Sequence, residues 1–175
     1  MNNYHTFNHL TLNITNPSEL NPVTTDELRA CEQKIGHKFE QGYVDFITRF
    51  GGGIFGGCYV RLYLPTTIVQ NHFETIKRYQ EYYFWDNGSD VLNKEQVLQS
   101  VCVGDTFSGD ELIYVNGGYY ILPREEDIIY AVGEKCSQAI EWQLVHNISN
   151  DPDEKTGNYG HCDEKGAYYF ECCDF

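Results

Sequence analysis

Residues 24–53, TTDELRACEQKIGHKFEQGYVDFITRFGGG, carry the signals of two consecutive helices. Thr24 can cap the first, and Glu27 stands three positions on to close a capping box. Leu28, Cys31 and Ile35 then fall on one helical face. Gly36 suits the left-handed residue that ends such a helix. The second helix is expected from about Glu40 to Phe50, where Tyr43, Phe46, Ile47 and Phe50 follow the i, i+3, i+4, i+7 stripe of a helix packed on a core. Gly51, Gly52 and Gly53 stop it and let the chain turn sharply.

The rest of the chain reads outward from this pair. Ahead of it, Leu10, Leu12 and Ile14 alternate and permit a short edge strand, while Asn16-Pro17 and Asn21-Pro22 break any earlier helix. After it, residues 58–64 have the aromatic and β-branched content of a strand, ended by Pro65. Thr66 or Thr67 can cap a long helix to about Phe84, with Ile68, Val69, His72, Phe73, Ile76, Tyr79 and Tyr83 on one face. Lys77, Arg78 and Glu81 belong on its outside. Residues 86–89, Asp-Asn-Gly-Ser, make a turn. Four short strands are expected at residues 100–107, 111–116, 119–122 and 127–132, with Asn116-Gly117-Gly118 as a hairpin turn that needs positive φ. Ser137 can cap a last helix through about Ile148. A polar, acidic loop follows at 150–157. Residues 167–175 have strand character, and an unpaired aromatic strand invites aggregation, so this end should join the sheet or pack along it.

At 175 residues the chain is expected to form one domain, divided as a polar N-terminal segment (1–23), an α+β body (24–150), and an acidic loop and C-terminal strand packed on the same domain (151–175). Its fold class is α+β: N-terminal helices packed on a mostly antiparallel central sheet, with a further helix after the strands. The net charge of −14 argues against nucleic acid and against an anionic membrane surface, and favours a basic partner if the partner is charged. The charge is uneven: residues 1–103 hold 11 acids and 8 bases, whereas residues 104–175 hold 15 acids and 4 bases. A solvated acidic surface and an electrostatic footprint for a basic protein both fit this asymmetry. Residues 1–25 lack the apolar core of a signal peptide, and no run approaches a membrane span. The seven cysteines are therefore expected as reduced thiols of a cytoplasmic protein.

The positions Glu32, Ile35, Gly36, Phe39, Tyr43, Phe46, Ile47, Gly51 and Gly52 follow the pattern E-x2-I-G-x2-F-x3-Y-x2-F-I-x3-G-G, which resembles the opening of the SUKH superfamily. A second block, Val103-Gly104-Asp105 through Gly109-Asp110 to Ile113-Tyr114, is similar to that family's strand-turn-strand. The resemblance covers roughly residues 24–148. A proline often found in the family near position 40 is absent, and Phe39-Glu40 stands there instead. The group includes yeast cell-wall-assembly regulators and bacterial immunity proteins. It implies helices around one central sheet and a protein partner.

Chemistry-bearing patterns were weighed against plainer readings. The run Gly51-Gly52-Gly53-Ile-Phe-Gly56-Gly57 lacks the Lys-Ser/Thr pair of a phosphate loop, so a helix stop and turn accounts for it. The segment Asp105-Thr-Phe-Ser-Gly-Asp110-Glu111 fails the alternating spacing of a calcium loop and reads as a turn between strands. His161-Cys162, Cys172-Cys173 and Cys136 supply soft ligands without zinc spacing, because adjacent strand residues point to opposite faces. Cys58, Cys102 and Cys136 carry no nucleophile signature, and Glu125-Glu126 and Asp153-Glu154 read as solvated pairs. Tyr82, Tyr83, Phe84 and Trp85 are consecutive, so a helix cannot bury all four.

The sequence thus points to a non-enzymatic binding protein, without cofactor or metal. The resemblance implies an immunity protein that occludes a cognate toxin, often a nuclease. A regulatory scaffold like the yeast members is the alternative. Charge and loop position nominate Asp105, Asp110, Glu111, Tyr114, Glu125, Glu126 and Asp127 as partner contacts.

Overall fold

The computed structural model describes residues 3–57, 60–146 and 161–173. Helix α1 (Thr25–Ile35) opens with the predicted capping box: the Thr24 hydroxyl accepts the Glu27 N–H, and the Glu27 carboxylate accepts the Thr24 N–H at 2.8 Å. Gly36 closes it at φ 72°. Helix α2 (Gln41–Phe50) starts at Glu40, whose side chain accepts the N–H groups of Gly42 and Tyr43. The predicted stripe of Tyr43, Phe46, Ile47 and Phe50 is buried throughout.

The fold is α+β, with one mostly antiparallel sheet of nine strands among the described residues. In chain order they are β1 (Tyr4–Phe7), β2 (Leu10–Ile14), β3 (Gly53–Phe55), β4 (Val60–Leu62), β5 (Val101–Thr106), β6 (Glu111–Val115), β7 (Gly118–Leu122), β8 (Tyr130–Gly133) and β9 (Tyr168–Cys172). Across the sheet the order is β1-β2-β9-β3-β4-β5-β6-β7-β8. The C-terminal strand β9 is therefore interior: it runs parallel to β2 and antiparallel to β3. Three further helices are α3 (Pro65–Glu81), α4 (Lys94–Val97) and α5 (Cys136–Val145).

Strand alternation sends side chains to two cores. Leu112 and Ile121 join a core with α1, α2 and α5, while their neighbours Ile113 and Leu122 join a second core with Tyr79, Trp85 and Val97. Phe46 centres the first, its ring 5.0 Å from Phe7, 5.2 Å from Phe55 and 5.2 Å from Phe170. Trp85 anchors the second, donating its indole N–H to the Pro123 carbonyl at 2.7 Å. On the second side Tyr79 of α3, Val97 of α4, Trp85 and Leu92 pack on Ile113, Val115 and Leu122 of β6 and β7.

Several boundaries differ from the sequence reading. The strand expected at the N-terminus is not an edge: β2 lies between β1 and β9, and β1 forms the edge, joined through Asn8 at φ 51°. The Arg49 guanidinium donates to the Thr6 carbonyl of that edge at 2.9 Å, so part of the free ladder is covered. Helix α3 begins one step earlier than Thr66: Leu64 is its cap and Pro65 its first residue, a place that suits the fixed φ and missing N–H of proline. It ends at Glu81 rather than Phe84. Phe73, placed on the buried face by spacing, is 73% exposed, because the buried line runs through Ile68 and Tyr79 and Phe73 sits well round the helix from it. Helix α5 starts at Cys136, leaving Ser137 buried inside its first turn instead of capping. Cys58, Tyr59, Ile148 and the polar loop at 150–157 lie outside the described residues.

Gly53 marks where β9 comes closest to β3: a Cβ there would stand 2.3 Å from the Glu171 carbonyl oxygen. Gly53→Ala is expected to destabilise the protein by about 1–3 kcal/mol through overpacking. Urea unfolding reads this directly, and a variant indistinguishable from the parent would refute the close approach.

Candidate functional site

The seven nominated residues do not converge on one point. Asp105, on β5, is 8% exposed and receives both arms of the Arg61 guanidinium from β4, with Nε to Oδ1 at 2.6 Å. Glu111 sits opposite Asp105 across the β5–β6 pair and is held by Arg78 of α3. Burial pushes the Glu111 carboxyl above its usual range, and the hydrogen bond and charge of Arg78 oppose that rise. Asp110 is buried in the turn after β5, where it accepts the Thr106 hydroxyl at 2.9 Å and the Arg124 N–H at 2.9 Å. It therefore ties the 106–110 turn to the loop after β7. Tyr114 lies on the other face of the sheet, its ring 4.9 Å from Tyr119.

The remaining three stand together in the loop between β7 and β8. Glu125 and Asp127 are exposed, and Glu126 is half-buried. Asp127 accepts from the Asn87 side chain at 2.6 Å, and Glu126 accepts the Tyr130 hydroxyl at 2.6 Å. These bonds hold the loop beside residues 84–88. There Phe84, 41% exposed, lies with its ring 4.2 Å from Trp85 and joins Arg124, Glu125, Glu126, Asp127 and Ile128 around a cavity of about 580 Å³. The consecutive aromatics divide as chain geometry requires: Tyr82 and Phe84 outward, Tyr83 half-buried, Trp85 inward.

Phe107, at the tip of the 106–110 turn, is 72% exposed. Sequence reasoning did not single it out. The available signal was its setting: a phenylalanine between Thr106 and Ser108-Gly109 occupies a tight turn that has no interior to bury it in. The resulting end of the molecule combines exposed rings with surface carboxylates, the composition of a protein-binding surface.

Cys102 and Cys136 lack the setting of a nucleophile. Cys102 donates its S–H to the Gly104 carbonyl at 3.4 Å, and burial, followed by the charge of Glu111, pushes the thiol well up. Burial does the same to Cys136, reinforced by Glu40. Brief alkylation of the native protein at mildly alkaline pH is expected to leave the fully buried Cys136 unmodified, as peptide mass mapping would show. Rapid labelling of Cys136 would overturn that assignment. His161 holds the Gly56 carbonyl through Nδ1 at 2.9 Å. Among the described residues, no group of three His, Cys, Asp or Glu side chains is arranged to hold a metal ion, and no helix is long and apolar enough to cross a membrane.

Comparison with curated protein sequences finds no match. The family model of the SMI1 / KNR4 family (SUKH-1) matches residues 22–151, well over half of the 175-residue chain. The match begins just before α1 and ends after α5, so β1, β2 and β9 are strands added outside it. With its two capped helices, glycine stop and central sheet inside the matched span, the chain belongs to the SMI1/KNR4 family (SUKH-1).

Proposed function

We propose that this chain is a non-enzymatic immunity protein that binds a basic toxin domain, of nuclease type, and occludes the surface the toxin uses on its substrate. The observation that carries this reading is the end of the molecule where Phe84 and Phe107 are exposed and Glu125, Glu126 and Asp127 stand beside Phe84. Carboxylates there, in a chain of net charge −14, steer a basic partner and raise its association rate. The rings bury on contact and slow dissociation. Asp105, Asp110 and Glu111 contribute to the field while serving internal bonds, and Tyr114 lies on the opposite face. Cys31, Cys102, Cys136 and Cys162 are free thiols, which suits a reducing cytoplasm.

The test is stopped-flow association with the basic toxin domain encoded beside this chain's gene, repeated over a salt series. The association rate should fall steeply with salt. Glu125→Lys combined with Asp127→Lys should slow association about tenfold at low salt, within the range of electrostatic steering. Phe84→Ala should instead raise the dissociation rate about tenfold or more, as a hot-spot truncation does. If no basic partner binds even at low salt, the occlusion reading fails and a regulatory scaffold of the yeast type takes its place.

A further inference from the structure

We infer that the acidic, aromatic end is one mouth of a groove made of adjoining clefts along α3, and that an extended basic segment of the protein partner lies over them. The inference rests on the reading that a basic protein binds this end.

The groove follows from how α3 is anchored. Of its 17 residues only Pro65, Ile68 and Tyr79 are fully buried, so the helix is pinned near its two ends. Between the pins Val69 and Ile76 pack on the two cores, and one flank of the helix is left open. Asn71 and Thr75 of α3 line, with Tyr63 and Cys102, a cavity of about 450 Å³ that the bonded Arg78–Glu111 pair bounds. Arg78 and Glu111 also line a second cavity of about 270 Å³, with Phe84, Gly109 and Arg124. Phe84 and Arg124 in turn line the cavity of the 125–128 loop. The three spaces therefore adjoin in a row, with the bonded Arg78–Glu111 pair standing between the first and the second. From Asn71 to Tyr82 the helix alone runs roughly 16 Å at its rise per residue. That length matches about five residues of extended chain before the acidic loop is reached.

The walls select the occupant by charge and shape. Glu74 and Glu81 stand exposed on the α3 side, and Glu125, Glu126 and Asp127 close the far mouth. Against these five, Lys77 and Arg124 are the exposed bases on the walls, because Arg78 is committed to Glu111. Tyr82, 71% exposed, and Phe84 present rings on which arginine or lysine stems can lie. An extended segment with alternating basic and apolar side chains fits these walls.

The test uses a fluorescently labelled Arg-Leu alternating octapeptide, with a Glu-Leu octapeptide as control, by anisotropy and amide shift mapping at low salt. The Arg-Leu peptide should bind and perturb resonances from Asn71 through Tyr82 to Asp127, and the control should not. Glu81→Lys and Glu125→Lys, at opposite ends, should each weaken it about tenfold, the worth of one well-placed charge contact, and Tyr82→Ala should weaken it as well. Shifts confined to residues 124–128, with Glu81→Lys and Tyr82→Ala silent, would overturn the groove while leaving toxin binding at the mouth intact. The groove is also overturned if the intact toxin binds but the peptide does not. Failure of both removes the groove and the immunity reading together.

Discussion

Phe170→Ala should lower the free energy of unfolding by about 3–5 kcal/mol, the upper range for a buried ring. The side chain is fully buried, with ring centroids 4.8 Å from Phe55, 5.2 Å from Phe46 and 6.3 Å from Phe50. It couples α2, β3 and the C-terminal strand in one aromatic cluster. The position of β9 raises the stakes. It is paired on both sides, with β2 through Leu12, Asn13 and Ile14, and with β3 through Gly53, Ile54 and Phe55. Without it the β1–β2 hairpin loses its strand partner and is left with side-chain contacts and bonds such as Phe7 on Phe46, Asn8 on Ser137, Arg49 on the Thr6 carbonyl and the His9–Glu141 pair. Phe170→Leu, which keeps most of the volume, should cost less than about 1.5 kcal/mol. A chain ended at residue 160 should lose the hydrogen-exchange protection of β2. An alanine variant costing under about 1 kcal/mol would show that the site collapses to fill the space and that β9 is not a keystone.

The contrast between β9 and the helices shows which parts of this fold are local. The capping box at Thr24 and Glu27, the stop at Gly36 and the α2 stripe are set within a few residues, and each was legible. So was the β6–β7 turn, where Asn116 and Gly117 take φ of 53° and 82°. Strand order was not legible, because β2 finds its partner β9 more than 150 positions away and nothing in either segment names the other. The same holds for charge. Asp105 and Glu111 read as surface acids until Arg61 and Arg78, 44 and 33 positions away, close on them. The acidic strand-and-loop region stood out in the sequence, but its carboxylates could not be sorted there, since burial is a property of the assembled sheet. In the 125–127 loop, Glu125 and Asp127 stay exposed, and among the described residues no ion pair holds its carboxylates.

Glu40→Ala should destabilise the protein by about 3–5 kcal/mol, combining a lost helix cap with two stranded donors. In the sequence Glu40 looked like no more than a helix boundary, standing where the family often has proline. In the structure its carboxylate joins three elements. It accepts the Gly42 N–H at 2.6 Å and the Tyr43 N–H at 3.0 Å in α2, the Tyr119 hydroxyl of β7 at 3.0 Å, and the Cys136 N–H at the start of α5 at 3.2 Å. One half-buried anion thus serves the positive ends of two helices at once. Burial first, then the neighbouring Cys136 and Glu40, holds the Tyr119 phenol far above its ordinary range, so it remains a proton donor to the carboxylate. A proline here would supply no such acceptor, and α5 would need another cap. Glu40→Gln separates charge and acceptor count from size. Its amide nitrogen must face at least one donor, so it should retain the packing yet still lose about half of the alanine effect, more than a neutral hydrogen-bond swap would cost. Coupling between Glu40→Ala and Tyr119→Phe in a double-mutant cycle should be about 1–2 kcal/mol. If the alanine variant unfolds within about 0.5 kcal/mol of the parent, water replaces the carboxylate at these donors, and α2 and α5 are held by their apolar faces alone.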